Sequence, residues 1–232
     1  MLAGIMARKP AILAAILDEL EGFYGRPPRP ALRDPFRMVL HRLSGYPQSD
    51  RNCDRGYAAL RRQFGTAPAA LLAANPSTLA QALRAGGIVP ELRAERIRAA
   101  AARLQQEFGG TLKPVLKLPL KAALKILQSF PTLGAAGAEK ILLYNGLPVA
   151  AVPSNCIHVP LRLGLGTGGS NWAAGYKAAQ AAIRAALPDD APGQLRAYLL
   201  LKRHGAQLCK ANRPLCPACP LRSACAYYAA TA

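Results

Sequence analysis

Negative charge is scarce in this sequence. Twelve Asp and Glu stand against thirty Lys and Arg, a formal net charge of +18, with an isoelectric point near 10.3. Charge kept for solubility alone needs a magnitude of only roughly 2–8 in a small domain, so the imbalance points to a polyanionic partner, nucleic acid first. Long apolar runs are also missing. None approaches the roughly 20 residues that span a bilayer, and the stretch from Met1 to Leu20 is broken by Arg8, Lys9, Asp18 and Glu19. That stretch reads as an amphipathic helix rather than a signal peptide. The expectation is a cytoplasmic protein without membrane contact, associated with the nucleoid if bacterial. β-branched residues are sparse as well, which argues against a sheet-built fold.

Half of the 232 residues are apolar, enough for a buried core in one or two domains. Alanine, leucine and arginine dominate, and apolar residues recur at three- and four-residue spacing between Pro and Gly breaks, so the fold should be all-α. The run Gly25-Arg26-Pro27-Pro28-Arg29-Pro30 ends the first helix. Helices are expected over 35–43, 50–64, 67–74, 77–85, 92–107, 120–129 and 138–144. Further ones should follow near 155–163 and over 172–187 and 192–204. Ser77, after Pro76 and before an apolar run, reads as an N-cap. No internal repeat is visible.

Six cysteines in a reducing compartment do not suggest a disulfide framework. Four of them, Cys209, Cys216, Cys219 and Cys225, leave gaps of six, two and five residues near the C-terminus. Thiolates brought together by short loops repel one another unless a soft cation accepts them. Zinc and an iron–sulfur centre both suit four cysteines, and the spacing alone leaves both open. Cys53 and Cys156 lack such neighbours and read as buried small residues.

The segment His204-Gly205-Ala206-Gln207-Leu208-Cys209, with Cys216-Pro217-Ala218-Cys219-Pro220-Leu221 and Cys225, closely resembles the cluster loop of endonuclease III and its adenine-mismatch glycosylase relatives. The resemblance implies a 4Fe-4S cluster on the four cysteines and basic side chains, here Lys210, Arg213 and Arg222, turned to DNA phosphates. A second likeness lies upstream. Leu120 to Ser129 followed by Phe130-Pro131-Thr132-Leu133-Gly134-Ala135-Ala136-Gly137-Ala138 looks like the family's helix-hairpin-helix, usually Leu-Pro-Gly-x-Gly, over about residues 120–144. Small residues there let the backbone approach a phosphate, and amides at the start of the second helix face the anion. Thr132, Leu133, Gly134, Ala135, Ala136 and Gly137 are therefore expected at the DNA. Asp34-Pro35-Phe36, Leu43-Ser44, Ser49-Asp50-Arg51-Asn52, Gly87-Ile88 and Arg93-Ala94-Glu95-Arg96-Ile97 follow in the family's order.

The architecture this implies is two all-α domains flanking a DNA-binding cleft. A six-helix domain of residues 30–149 carries the hairpin, and residues 1–29 join 150–232 to form the cluster domain. Relatives bend the duplex and extrude a base, at a cost of a few kcal/mol. The partner is double-stranded DNA, damaged or distorted, bound by a monomer.

The family's chemistry is missing where it should stand. Gly146-Leu147-Pro148-Val149-Ala150-Ala151-Val152 tracks the approach to a catalytic Asp, and the next residue is Pro153. The lysine that makes some relatives lyases falls at Ala136. Neither residue can attack a sugar or hold a proton. Lys140 and Glu139, about a turn further on, are weak substitutes, and Asp50 reads first as a helix-start acid. The loops around Gly45-Tyr46-Pro47-Gln48 and Val89-Pro90-Glu91 each run one residue long. Gln48, Tyr46 and Ile88 are candidates to fill the gap left by a flipped base, and His158 stands where many relatives have Arg. Two functions remain: a glycosylase with altered chemistry and no efficient lyase step, or an inactive iron–sulfur protein that binds lesions or DNA structures. A zinc-bound transcriptional regulator is a distant third.

Overall fold

The computed structural model describes residues 9–47, 49–168 and 171–231. These form α1 (Lys9–Tyr24), α2 (Pro35–Leu43), α3 (Asp50–Phe64), α4 (Pro68–Ala73), α5 (Pro76–Leu83), α6 (Pro90–Phe108), α7 (Leu120–Gln128), α8 (Ala135–Tyr144), α9 (His158–Arg162), α10 (Trp172–Ala186), α11 (Ala191–Gln207) and α12 (Ala226–Thr231), with short 3-10 turns between some of them. No strand occurs among the described residues, so the chain is all-α as its composition implied. No helix there is long and apolar enough to cross a membrane.

The chain divides into two compact units. One is Ala31–Ile141, and the other joins the described residues up to Pro30 to those from Leu142 onward. The division falls within α8, ahead of the sequence-based boundary at 149/150.

In the Ala31–Ile141 unit, α4 and α5 pack on α6, and α3 packs on α2 and α5. Ala100 and Ala101 are fully buried on α6 alongside Ile97 and Leu104. Such small side chains let helices approach closely. The starts are chemically marked. Asp34 accepts from the Arg37 amide at 2.9 Å with Pro35 in the first turn, and Ser49 caps α3. Ser77 is not the cap of α5. Asn75 is, its Oδ1 accepting from the amides of Ser77 (3.0 Å) and Thr78 (3.4 Å), with Pro76 in the first turn, where its missing N–H costs nothing. At the other end of α4, Arg98 donates to the carbonyls of Leu72 and Ala74, both at 2.7 Å, and so satisfies oxygens that the helix leaves bare.

In the second unit, α10 and α11 pack on α1, and α9 packs on α10 and α11. Leu13, Leu17 and Leu20 of α1 are buried at helical spacing. Arg196 of α11 binds Asp18 at 2.8 Å and also Glu21, and Arg203 donates to the Tyr24 carbonyl at 2.8 Å. These contacts tie the first helix to a segment far along the chain. The helix expected over 155–163 is confined to His158–Arg162, because a turn in which the Cys156 amide donates to the Pro153 carbonyl at 2.8 Å precedes it.

Candidate nucleic-acid interface and cysteine site

The segment read as the hairpin consists of α7, a short turn and α8. Its second helix begins at Ala135, three residues earlier than periodicity suggested, because the Gly134 carbonyl accepts from the amides of Gly137 (3.0 Å) and Ala138 (3.1 Å). The amides of Gly134, Ala135 and Ala136 have no partner among the described residues, and Gly134 and Ala135 are exposed. Bare, outward amides at a helix start attract an anion. Leu133, expected at the DNA, instead buries its side chain in the core, leaving only its backbone available there. Thr132 takes the place of the motif's first glycine yet keeps the left-handed backbone, φ +60°. A β-branched residue in that region is strained by about 1–2 kcal/mol, and its buried hydroxyl has no partner in the fold. Arg103 braces the turn, donating to the Ser129 carbonyl at 2.9 Å and hydroxyl at 2.6 Å, with its guanidinium 5.0 Å from the Phe130 ring.

One feature the motif does not mark is a run of exposed lysines in the residues ahead of this turn. Lys113, Lys117, Lys121 and Lys125 are all exposed, and no acidic residue interrupts the stretch from Phe108 to Ala138. The run of lysines without an acidic residue was a usable sequence signal for a basic surface.

The two loops proposed to enter the duplex lie together in the same unit. A Cβ on Gly56 would stand 2.2 Å from the Ser44 carbonyl oxygen, and one on Gly86 1.9 Å. Only glycine permits that approach. Arg93, buried on α6, donates to the Gly45 carbonyl at 3.3 Å and so links the helix that follows the Ile88 loop to the loop that carries Tyr46. The Tyr46 ring lies 3.7 Å from the Arg42 guanidinium. Ile88 is 61% exposed, and Val89 beside it adopts a left-handed backbone with φ +50°. A strained apolar tip that the core does not use is characteristic of functional loops. Gln48 lies outside the described residues.

The chemical positions are bare of acid and amine. Ala136 belongs to the hairpin unit and Pro153 to the other. Glu139 is buried and Lys140 half-buried on α8. Asp50 stands in the first turn of α3, the place of a helix-start acid. In the same unit His41 Nε2 lies 2.8 Å from Asp54 Oδ1, and burial holds the imidazole below its usual range, against the pull of Asp54. Cys53 and Cys156 are buried.

Cys209, Cys216, Cys219 and Cys225 line one small, partly open pocket, with Arg162 and His204 in its wall and no carboxylate. None of the four is in a disulfide. Among the described residues, no three His, Cys, Asp or Glu side chains converge on a point that would hold one metal ion. Burial raises the Cys209 thiol, against the pull of Arg162, whose Nη1 lies 3.6 Å from its sulfur. His204 is 1% exposed, and burial, with His158 nearby, pushes its imidazole down to about 4. It is therefore neutral. The Tyr24 hydroxyl lies 3.0 Å from Nδ1 and the Cys219 sulfur 3.6 Å from Nε2, and a neutral imidazole donates at one of these nitrogens and accepts at the other. Arg162 further donates to the carbonyls of Lys210 (2.7 Å) and Ala211 (2.6 Å).

His158, expected to meet DNA, spends its Nε2–H on the Cys209 carbonyl at 2.6 Å and acts as a strut of the cysteine loop. Lys210, Arg213 and Arg222 are exposed on that loop. A set of soft thiols with an N–H donor aimed at one sulfur fits a thiolate-bound metal centre.

Two all-helical units with these elements define the fold class of the endonuclease III proteins. The structure matches that of endonuclease III in a non-covalent complex with DNA, with a TM-score of 0.75 over 96% of this chain and 97% of the other at 20% identity. It matches a trapped covalent endonuclease III–DNA intermediate equally well, with a TM-score of 0.75. A thermostable thymine-DNA glycosylase gives 0.71 at 19% identity, over 96% of this chain and 99% of that one. In sequence the chain is 26% identical to endonuclease III of Thermotoga maritima over 199 residues, 84% of each chain. No protein-family model matches. The chain is endonuclease III-like in sequence and fold, as its motifs led us to expect.

Proposed function

We propose that this protein is a DNA glycosylase of the endonuclease III kind that binds duplex DNA at a damaged or distorted site and releases a base without a lyase step. The observation that carries the reading is the hairpin: exposed, partnerless amides at Gly134 and Ala135, preceded in sequence by the exposed run of Lys113, Lys117, Lys121 and Lys125. Backbone amides and lysines together grip phosphates without reading sequence. Ile88 and Tyr46 are the side chains to occupy the space a flipped base leaves, and Lys210 and Arg213 add contacts from the cysteine loop. Such a protein works as a monomer in the cytoplasm or at the nucleoid.

Cys209, Cys216, Cys219 and Cys225 would hold a 4Fe-4S cluster. The six-two-five spacing of these cysteines, which resembles the cluster loop of the endonuclease III family, supports a cluster over a lone zinc ion. The cluster would serve as a staple that fixes the loop bearing Lys210, Arg213 and Arg222. Arg162, His158 and His204 orient that loop from the protein side.

With Ala136 and Pro153 at the positions of the usual lysine and aspartate, the reaction must ask little of the protein. A base that is already cationic leaves as a neutral molecule and needs no proton from an acid. Extrusion and enclosure then account for most of the help the protein gives. Incubation with duplexes carrying single lesions, followed by assay of free base and by alkali, tests this. Free base is expected from a cationic alkylpurine, with strand breaks appearing only after alkali. Binding without free base from any lesion would leave the second reading, a lesion-binding protein without turnover, which the same two substitutions favour.

A further inference from the structure

Trp172, the only tryptophan in the chain, opens α10 and is 53% exposed. It is not loose. Its ring stacks on Tyr176 one turn later, with centroids 5.2 Å apart and planes 21° from parallel. Its indole N–H donates to the Ser154 carbonyl at 3.4 Å. Tyr176 is buried in turn, its hydroxyl accepting from the Val152 amide at 3.5 Å. The two rings thus reach the backbone on either side of Pro153, the position where the family's carboxylate is missing. Tyr176 covers one face of the indole, and about half of the residue remains exposed.

A large apolar ring held rigid and half-exposed loses burial for no gain within the fold, and aromatic faces fixed in this way take up flat partners at little entropic cost. From these contacts we infer that Trp172 is a stacking platform for one unpaired nucleobase of a bound DNA. The inference rests on the DNA-binding reading and adds to it a specific subsite. The net charge of +18 makes a polyanion the partner of opposite sign, and a nucleobase is the flat, aromatic part of that partner. Stacking tolerates any base and favours the larger purine face. It would hold an extruded base beside a position that can no longer act on it chemically, which makes Trp172 a binding residue rather than a catalytic one.

The single tryptophan is its own probe. The full-length, metal-loaded protein is titrated with two duplexes of one sequence, one fully paired and one with an unpaired adenine, while emission selective for tryptophan is recorded. Quenching to about half is expected on saturation with the unpaired-base duplex, and little change with the paired one. Trp172→Ala should weaken binding of the unpaired-base duplex about tenfold, or about 1.4 kcal/mol, and leave paired-duplex affinity within about twofold. Trp172→Phe, which keeps an aromatic face and the fold, should restore most of the difference. Equal emission changes with both duplexes, or equal loss of affinity for both in either variant, would overturn the platform while leaving DNA binding in place. Failure of the wild-type protein to bind either duplex would instead remove the DNA reading itself.

Discussion

Borohydride should trap no more of this protein on abasic DNA than it traps of the Lys140→Ala variant, although both bind that DNA. Trapping requires a neutral amine that bonds to the sugar's C1′ to give an imine, which hydride then reduces to a stable amine. The hairpin position that supplies this amine in lyase relatives is Ala136, whose methyl group cannot react. Lys140 sits four residues later on α8, about 6 Å along the axis, and its stem is half-buried. An attacking lysine must also be neutral, whereas the side chain ordinarily titrates near about 10.4. Residual adduct from surface lysines would be slow and spread over many sites. Efficient trapping abolished by Lys140→Ala would make the protein a lyase with a relocated nucleophile.

Replacing Cys216 by serine should yield colourless or insoluble protein. On the proposed reading the four thiols around one pocket would be held in place by a shared metal centre, in addition to Arg162 and His158, which reach the stretch from Cys209 to Ala211 through hydrogen bonds, and His204, which touches Cys219. Losing one ligand exposes the rest to water and thiol chemistry and frees the tail. A loss of about 3 kcal/mol or more is expected. For a chain of this length each kcal/mol moves the melting temperature by about 2–4 °C, so soluble variant should melt lower by about 10 °C. Cys53→Ser, a buried cysteine in the other unit, should keep its colour. A soluble, brown Cys216→Ser protein with unchanged melting would remove the ligand assignment.

The helices that flank the Tyr46 loop were legible because their ends are written in local chemistry. Asp34 and Pro35 open α2, Ser49 opens α3, and Gly65 closes it. The cysteine tail was legible from spacing alone, which brings Cys209, Cys216, Cys219 and Cys225 to one pocket. What escaped depends on partners far away in sequence. His158 binds a carbonyl 51 residues on, and Arg93 crosses 48 residues to Gly45, so neither role has a local mark. Asn75 displaced Ser77 as a cap because proline suits the first helical position better than the cap itself. The left-handed backbone at Thr132 runs against its side chain, and only the surrounding fold explains it. The Trp172 platform was invisible for the same reason, since its anchor Ser154 lies 18 residues earlier.

The most direct test of the central claim, that this is a DNA-binding scaffold gripping phosphates through its hairpin and the lysines ahead of it, is the affinity for an abasic-site duplex at two salt concentrations. Contacts to about four phosphates imply a fall of about a hundredfold or more between about 50 mM and 200 mM salt. Replacing Lys121 and Lys125 together by glutamine should make that fall less steep. An affinity that does not change with salt, or a protein that does not bind the duplex at the lower concentration, would contradict the account.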